Sequence, residues 1–334
     1  MILDVFKSNA AFTSMSLTTA INKLPYSPFK VGAMGIFKTQ PVPNPRVAVE
    51  EYAGVLSIIP TSTRGGPAVL GKRGVRKLRD FTCPHIALED TILADDILGI
   101  RKFGSEDQVE AIAEKVNDVL GEHRRKMEVT HEHMRIGALR GKVYDSDGTT
   151  LIYDYFDQFG ISPTSIDFVF GTDTTDIKAK CLEVIRAIED AMGGMVFSGV
   201  HCFANPTWFA KFIEHPVIEK AWDRWNDSLW LRTDQRKSGF EFCGITFEEY
   251  RGSIGGVDFI PDDTARFFPV GAPDAYKVHF APADFVETVN TMGLPIYVKQ
   301  ERMEFDRGIK LHIQSNPLFM PNIPSALIEG TSSN

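Results

Sequence analysis

The sequence predicts an α+β fold in which long appendages hang on a compact mixed body. Three observations lead there. A single helical pattern runs over residues 105–140, about three times the mean helix length. Ahead of it, residues 46–84 are β-rich but interrupted by a Gly-, Pro- and base-rich segment with little apolar material. Behind it, amphipathic helices give way to a succession of short strands.

The 334 residues, 43% of them apolar and 24% charged, have the balance of a folded soluble protein. At about 150 residues per domain the length suggests roughly two domains or one fold with lobes. A chain this long buries enough surface to need neither disulfides nor metal. A net charge of -8 argues against coating nucleic acid by charge attraction. Cys83, Cys181, Cys202 and Cys243 lie far apart without a C-x-x-C pair, which fits a reducing compartment. The start MILDVFKSNAAF carries Asp4 and lacks the basic and apolar regions of a signal peptide. Apolar stretches such as Gly54 to Ile59 reach about a third of a membrane span. These features lead us to expect a soluble protein made in the cytoplasm.

Residues 1–45 read as an arm. Polar and small residues dominate SNAAFTSMSLTTAINK, and Pro25, Pro28, Pro41, Pro43 and Pro45 resist helix and central strand alike. Such a segment is expected to cross a surface, its own or a neighbour's. In the next part RVAVEEYAGVLSII and VRKLRDFTCP are strand-like, with PTSTRGGPAVLGKRG between them. The long helix opens on a capping-box pattern, Ser105 with Gln108. Its apolar positions Val109, Ile112, Val116, Leu120, Met127, Met134 and Ala138 step by three and four, and His123 and His131 fill the two gaps. About 35 residues at 1.5 Å each give a helix of roughly 50 Å. Gly121 and Gly137 allow a kink.

GKVYDSDGTTLIYDYF then reads as a hairpin turning at Asp147-Gly148. Ile177, Cys181, Val184, Ile188 and Ala191 form a helix stopped by Gly193-Gly194. MVFSGVHCF reads as a buried strand. Asn205-Pro206 opens a helix whose inner face is Phe209, Phe212, Ile213, Val217, Ala221 and Trp222. Trp208, Trp222, Trp225 and Trp230 mark a local hydrophobic centre. FEFCGITFEEY, VDFIP, ARFFPV, PIYVKQERM and GIKLHIQ follow as strands, and PLFMPNIPSALIEGTSSN as a Pro-rich tail.

Catalytic patterns are scarce. Gly66 to Lys72 matches the first seven positions of a phosphate-binding P-loop, but Arg73 stands where Ser or Thr must hold magnesium, and no helix start follows. A Gly-rich hairpin tip explains it better. His131 and His133, two apart on a helix, point too far apart to chelate, and His131 reads as a core histidine. His201 and Cys202 are strand neighbours on opposite faces and cannot be base and nucleophile. Cys181 reads as a buried inert thiol, and Asp262-Asp263 as turn chemistry. We therefore expect no enzyme activity, no cofactor and no metal. Arg64, Lys72, Arg73, Arg76, Lys77 and Arg79 form the one clear basic cluster, and Glu89, Asp90, Asp95 and Asp96 follow soon after. A solvated loop and a DNA contact are the alternatives to docking on an acidic patch of another copy.

The order of parts resembles the shell subunit of tailed bacteriophages, the HK97-type capsid fold. Particular stretches resemble the major capsid protein E family, which includes the lambda head protein: AAFTSMSLTTAINKLPYSP, RGGP at 64–67, THEHMRIGALRGKVYDSDG at 130–148, FIPDDTARFFPVG from 259, and LHIQSNPLFMPNIPSALI from 311. The resemblance covers about residues 10–328. It implies an N-terminal arm (1–45), an E-loop hairpin (46–85), a peripheral domain (86–155) with a spine helix (105–140), an axial domain (156–290), and return strands with the C-terminal tail (291–334). It also implies hexamers and pentamers tiling an icosahedral head around double-stranded DNA, with scaffolding, portal and possible decoration proteins as partners. The virion is then the final location and the host cytoplasm the place of assembly. No motif places the lysine–asparagine cross-link of some relatives here. The expected contact between copies pairs Arg73, Arg76 and Lys77, near Arg64, with Glu89, Asp90, Asp95 or Asp96 of a neighbour. An encapsulin-like compartment and a nucleotide-binding enzyme are the rival readings.

Overall fold

The computed structural model describes residues 14–23, 29–52, 76–97, 108–221, 239–254 and 256–333. The arm is more structured than its composition suggests. It holds helix α1 (Ser14–Lys23), a short helix α2 (Lys30–Met34) and strand β1 (Lys38–Pro41). Leu17 and Ile21, one helical turn apart, are both buried against the body, so α1 lies on the chain's own surface. Two strands follow, β2 (Arg46–Tyr52) and β3 (Arg76–Thr82), paired antiparallel from Arg46 opposite Thr82 to Tyr52 opposite Arg76. The P-loop-like stretch 66–72 lies outside the described residues.

Strand β4 (Ile86–Leu93) and a single turn α3 (Ala94–Ile97) precede the long helix α4 (Gln108–Arg140). The Ser105 cap lies outside the described residues. Val116, Leu120, His123, Met127, His131, Met134 and Ala138 are all buried, so both histidines fill the stripe as expected. The helix runs unbroken through Gly121 and Gly137. Gly137 permits a close approach: a Cβ there would stand 3.1 Å from the Lys142 carbonyl oxygen. Gly141, at φ 76°, ends the helix, and a Cβ on it would collide with the Phe156 ring.

The hairpin β5 (Lys142–Tyr144) and β6 (Leu151–Asp154) forms, but not around Asp147-Gly148. The Gly148 amide donates to the Asp145 carbonyl at 2.9 Å, so Ser146 and Asp147 are the central pair. Gly148 takes the left-handed position after them. A one-residue register shift at Val143/Tyr144 accompanies this longer loop.

The remaining chain builds a lobe around one six-stranded sheet and completes two three-stranded sheets with β1 and β4. Its elements begin with α5 (Tyr155–Phe159), β7 (Thr164–Asp167), α6 (Ile177–Met192), β8 (Gly199–Ala204) and α7 (Pro206–Glu214). They continue with β9 (Phe240–Phe242), β10 (Ile245–Glu249), β11 (Ser253–Ile254), β12 (Val257–Asp258) and β13 (Thr264–Val270). After β13 come β14 (Tyr276–Phe280), β15 (Tyr297–Arg302), β16 (Gly308–Ser315), β17 (Pro317–Pro321) and β18 (Ile328–Thr331). The six-stranded order is β7-β18-β13-β8-β10-β9.

Along β8, Val200, Cys202 and Ala204 face one core and Phe203 the other; along β13, Phe267 and Phe268 divide the same way. A strand buried on both faces reads as a continuous apolar run, which explains GVHCFA. MVFSGVHCF is shorter than expected as a strand, since Met195 and Val196 precede it exposed. FEFCGITFEEY is two strands turning at Cys243-Gly244, both at positive φ. The helix from Pro206 stops at His215, because Pro216 cannot donate to the helical ladder and disfavours helical geometry before it. A further helical turn covers 216–221. Trp208 is buried in the core, and Trp222, Trp225 and Trp230 lie outside the described residues.

The tail is the largest departure from expectation. It supplies the fully buried strand β17, and β18 pairs between β7 and β13 in the lobe's sheet. Pro317 and Pro321 sit at the two ends of β17, an outer strand of the sheet β1-β14-β17, where a missing N–H costs least. A third sheet, β15-β16-β4, carries α1 and the first half of α4.

Candidate functional site

The residues singled out from sequence fall on two separate places. Arg64 and Arg73 lie outside the described residues. Arg76 and Lys77 sit on β3, in register with Tyr52 and Glu51 of the same hairpin. Arg79, one step on, is turned back into its own chain. It donates to the Gln158 carbonyl, donates to the Phe159 carbonyl at 3.1 Å, and stacks its guanidinium 4.9 Å from the Phe159 ring centre. These are the free carbonyls at the end of α5, where a cation is favoured. Phe81 is buried among Tyr153, Tyr155 and Phe159, so aromatic packing and Arg79 fix the root of the hairpin.

The acids lie on the sheet β15-β16-β4 and beside it. Glu89 accepts from His312 at 3.2 Å and lies 3.7 Å from Lys310, and these two hold its carboxyl below the usual range. His123 Nε2 stands 2.7 Å from Asp90 Oδ2. Asp96 accepts from the Leu93 amide at 3.0 Å, and Asp95 is exposed. Glu89 and Asp90 thus already have partners in their own chain, while Asp95 faces solvent.

Sequence reasoning missed a second cluster, built by the long helix against the arm. Glu132 is 0% exposed and accepts from the Val31 amide at 2.6 Å and the Gly32 amide at 3.0 Å. Those are free donors at the start of α2, so a carboxylate 100 residues away caps this helix. Arg135 at 3.3 Å and the Tyr250 hydroxyl at 3.4 Å complete its shell. Two turns back, Arg124 donates to the Ile21 carbonyl near the end of α1 and to Glu128 at 2.8 Å. Asn22 donates to the Ile296 carbonyl at 2.9 Å. Thr18 uses its hydroxyl as a strand partner, accepting from the Val298 amide at 3.0 Å and facing its carbonyl at 3.2 Å. Charged residues three or four apart on α4 were visible in sequence, but nothing local to them shows that their partners lie in the arm.

The histidines and cysteines take structural positions. His131 pairs with Ser315 at 2.9 Å, and burial with Arg135 nearby pushes its pKa down to about 3. Ser315 donates onward to the Pro295 carbonyl at 2.6 Å. His133 packs on the Phe259 ring instead. Gln314, Asn316 and His85 form an adjoining knot, and Asn316 donates to the Pro282 carbonyl at 2.8 Å. The Gln-Ser-Asn run therefore seals the point where the chain passes from β16 to β17. His201 lies 3.3 Å from the buried Glu248, while Cys202 faces the opposite core. Burial pushes the Cys83 thiol up to about 12 and those of Cys181 and Cys202 higher still, which removes them as thiolate nucleophiles. Among the described residues no group of three or more His, Cys, Asp or Glu could hold a metal, and no helix is long and apolar enough to cross a membrane.

Among the described residues these clusters anchor the arm and the hairpin to the body, and the comparisons with known proteins show what such a chain resembles. The family model for phage major capsid protein E matches residues 13–332. The major capsid protein of Pseudomonas phage KPP10 is 27% identical over 324 residues, covering 90% of this chain and 91% of that one. The major capsid protein of Salmonella phage Felix O1 is 24% identical and covers 95% of each. A crystal structure of a candidate capsid protein from a prophage of E. coli CFT073 superposes with a TM-score of 0.59 at 13% identity, over 96% of this chain and 99% of that one. That likeness speaks for the fold, which is the HK97-type α+β capsid fold. An arm strapped to a long helix, a two-stranded hairpin and a mixed-sheet lobe, matched by the family from residue 13 to 332, identify the chain as a member of the phage major capsid protein E family.

Proposed function

We propose that the chain is the structural head protein of a tailed phage or prophage and closes, as hexamers and pentamers, into an icosahedral shell around double-stranded DNA. The observation that carries this reading is the family match over nearly the whole chain, with relatives named major capsid proteins that are covered over nine-tenths or more of their length. Physical chemistry supports it. A -8 subunit does not grip DNA, and a packaged genome must slide. Weak contacts repeated by symmetry close a shell. Scaffolding, portal and decoration proteins are the partners this role calls for, the virion is its site, and the host cytoplasm its place of assembly. The role is mechanical and requires no catalysis or cofactor.

Within that reading we place one contact at the hairpin, where Arg73, Arg76 and Lys77 meet acids of the next copy. Asp95 suits it better than Glu89 and Asp90, which have side-chain partners already, or Asp96, which accepts from the Leu93 amide. Exposed pairs contribute only about 0 to 1 kcal/mol each, but they recur at every interface. Reversing all three cations should abolish or misdirect assembly; normal shells from the triple variant would remove this contact. The function itself is tested by sedimentation and negative-stain imaging of the recombinant protein, with and without its scaffolding partner. Megadalton shells or rings of five and six are expected, and a species that stays small under both conditions contradicts it.

A further inference from the structure

At the root of the hairpin lies a cleft of about 450 Å³, bounded by β2, the β1–β2 connection and one face of the sheet β1-β14-β17. Three bases line it: Arg46 from β2, and Lys277 and His279, two apart on one face of β14. Among the described residues its lining contains no carboxylate. Neither Arg46 nor Lys277 has an acidic partner there; Asp274, whose field reaches Lys277, is taken by Lys38 at 3.1 Å. His279 is only 5% exposed; the backbone of Gln40, its neighbour on β1, is the polar group beside its ring, and no carboxylate of the cleft lining faces it. In a chain with 44 acids against 36 bases, three adjoining bases in a cleft lined by no carboxylate are conspicuous. The outer edge of β2 runs alongside, and among the described residues β2 pairs only with β3.

We infer that this cleft receives a carboxylate-bearing segment of a second copy of the chain, so that Lys277, Arg46 and His279 form an inter-subunit acid receptor distinct from the hairpin tip. The arriving carboxylate neutralises Arg46 and Lys277 and places an anion beside the buried His279 ring. An open strand edge beside the bases suits an extended segment. The commitment to a second copy rests on the shell-forming reading, in which each subunit meets copies of itself and each copy offers many exposed acids.

The test uses shells assembled from equal amounts of ordinary and ¹⁵N-labelled chain. A zero-length carbodiimide reagent joins amines to carboxylates in contact. The expected result is a Lys277 peptide coupled to an Asp or Glu peptide of the other label, with Lys277 at least tenfold slower to acetylate in shells than in dissociated subunits. Coupling of Lys277 only within one copy or to a different protein, or acetylation equally fast in both states, overturns the inference. A second variant set guards against misfolding. Arg46→Glu with Lys277→Glu should cut shell yield at least tenfold while the subunit's melting curve is kept, and Lys180→Glu on α6 should not. Undiminished yield from the double variant also overturns it. Failure of the native chain to form shells at all is a different result: it contradicts the proposed function and removes this inference with it.

Discussion

The lobe and the arm are held by opposite means. In the lobe, rings do the holding. Trp208 lies 5.0 to 5.4 Å from Phe168, Phe170 and Phe212, and Phe212 stacks 4.3 Å from Phe247. Such contacts add to burial and need no particular chemistry at the backbone. In the arm, α1 buries chiefly Leu17 and Ile21, α2 buries Val31, and helix ends, an edge strand and four polar side chains of α1 and α4 provide the rest. A part held by area unfolds with the whole domain. A part held by a few polar contacts at its ends can be released alone. The body is thus built to persist while the arm is attached by discrete, separable links.

The sharpest way to break this contrast is to attack each side once. Trp208→Ala should cost about 3–5 kcal/mol, the range for a large aromatic in a packed core, and lower the global denaturation midpoint of the unassembled subunit. Glu132→Ala leaves two amides and Arg135 without their acceptor and should cost about 3 kcal/mol locally. Hydrogen exchange at 31–35 should then speed up while the lobe's sheet keeps its protection. If both variants lower the global midpoint together and leave exchange at 31–35 unchanged relative to the lobe, the arm and lobe are one cooperative unit and the contrast is wrong.

A pH series sharpens it further. His131 is held neutral because its folded pKa, about 3, lies far below the ordinary value of about 6.5. The unfolded chain therefore binds the extra proton first as pH falls. Stability is fully present above about 6.5 and declines from there toward 3, by up to about 1.4 kcal/mol per pH unit for this group. His131→Gln should flatten that decline in acid denaturation, whereas an unchanged slope would show that other groups govern it. The effect per unit is smaller than either deletion above.

How much was legible follows from the range of each signal. The stripe of α4 from Val116 onward, the Gly193-Gly194 stop and the Asn205-Pro206 start are written within a few residues of themselves, and each stands where the sequence placed it. Helix α1 was missed because two apolar residues four apart are too few to establish a period. Strand β17 was missed because Pro317, Pro321 and Pro324 argue for a loop until it is known that β17 is an outer strand. The long-range partners were illegible for a deeper reason. Glu132 and Arg124 look like ordinary surface charges on a helix, and only folding brings the amides of Val31 and Gly32 and the carbonyl of Ile21 to them. The place of His279 in a basic cleft is equally silent in sequence, since a lone histidine in YKVHF reads as strand filler.

Everything above depends on self-assembly of this chain into shells. The direct measurement is a cryo-electron-microscopy reconstruction of the particles formed by the purified chain together with its scaffolding protein. Self-assembly should give closed particles with five-fold and six-fold capsomers, each subunit carrying its arm on its own α4 and its hairpin extended onto a neighbour. A monodisperse 37.3 kDa monomer under those conditions, or particles in which the arm has left α4 for another copy, would contradict it.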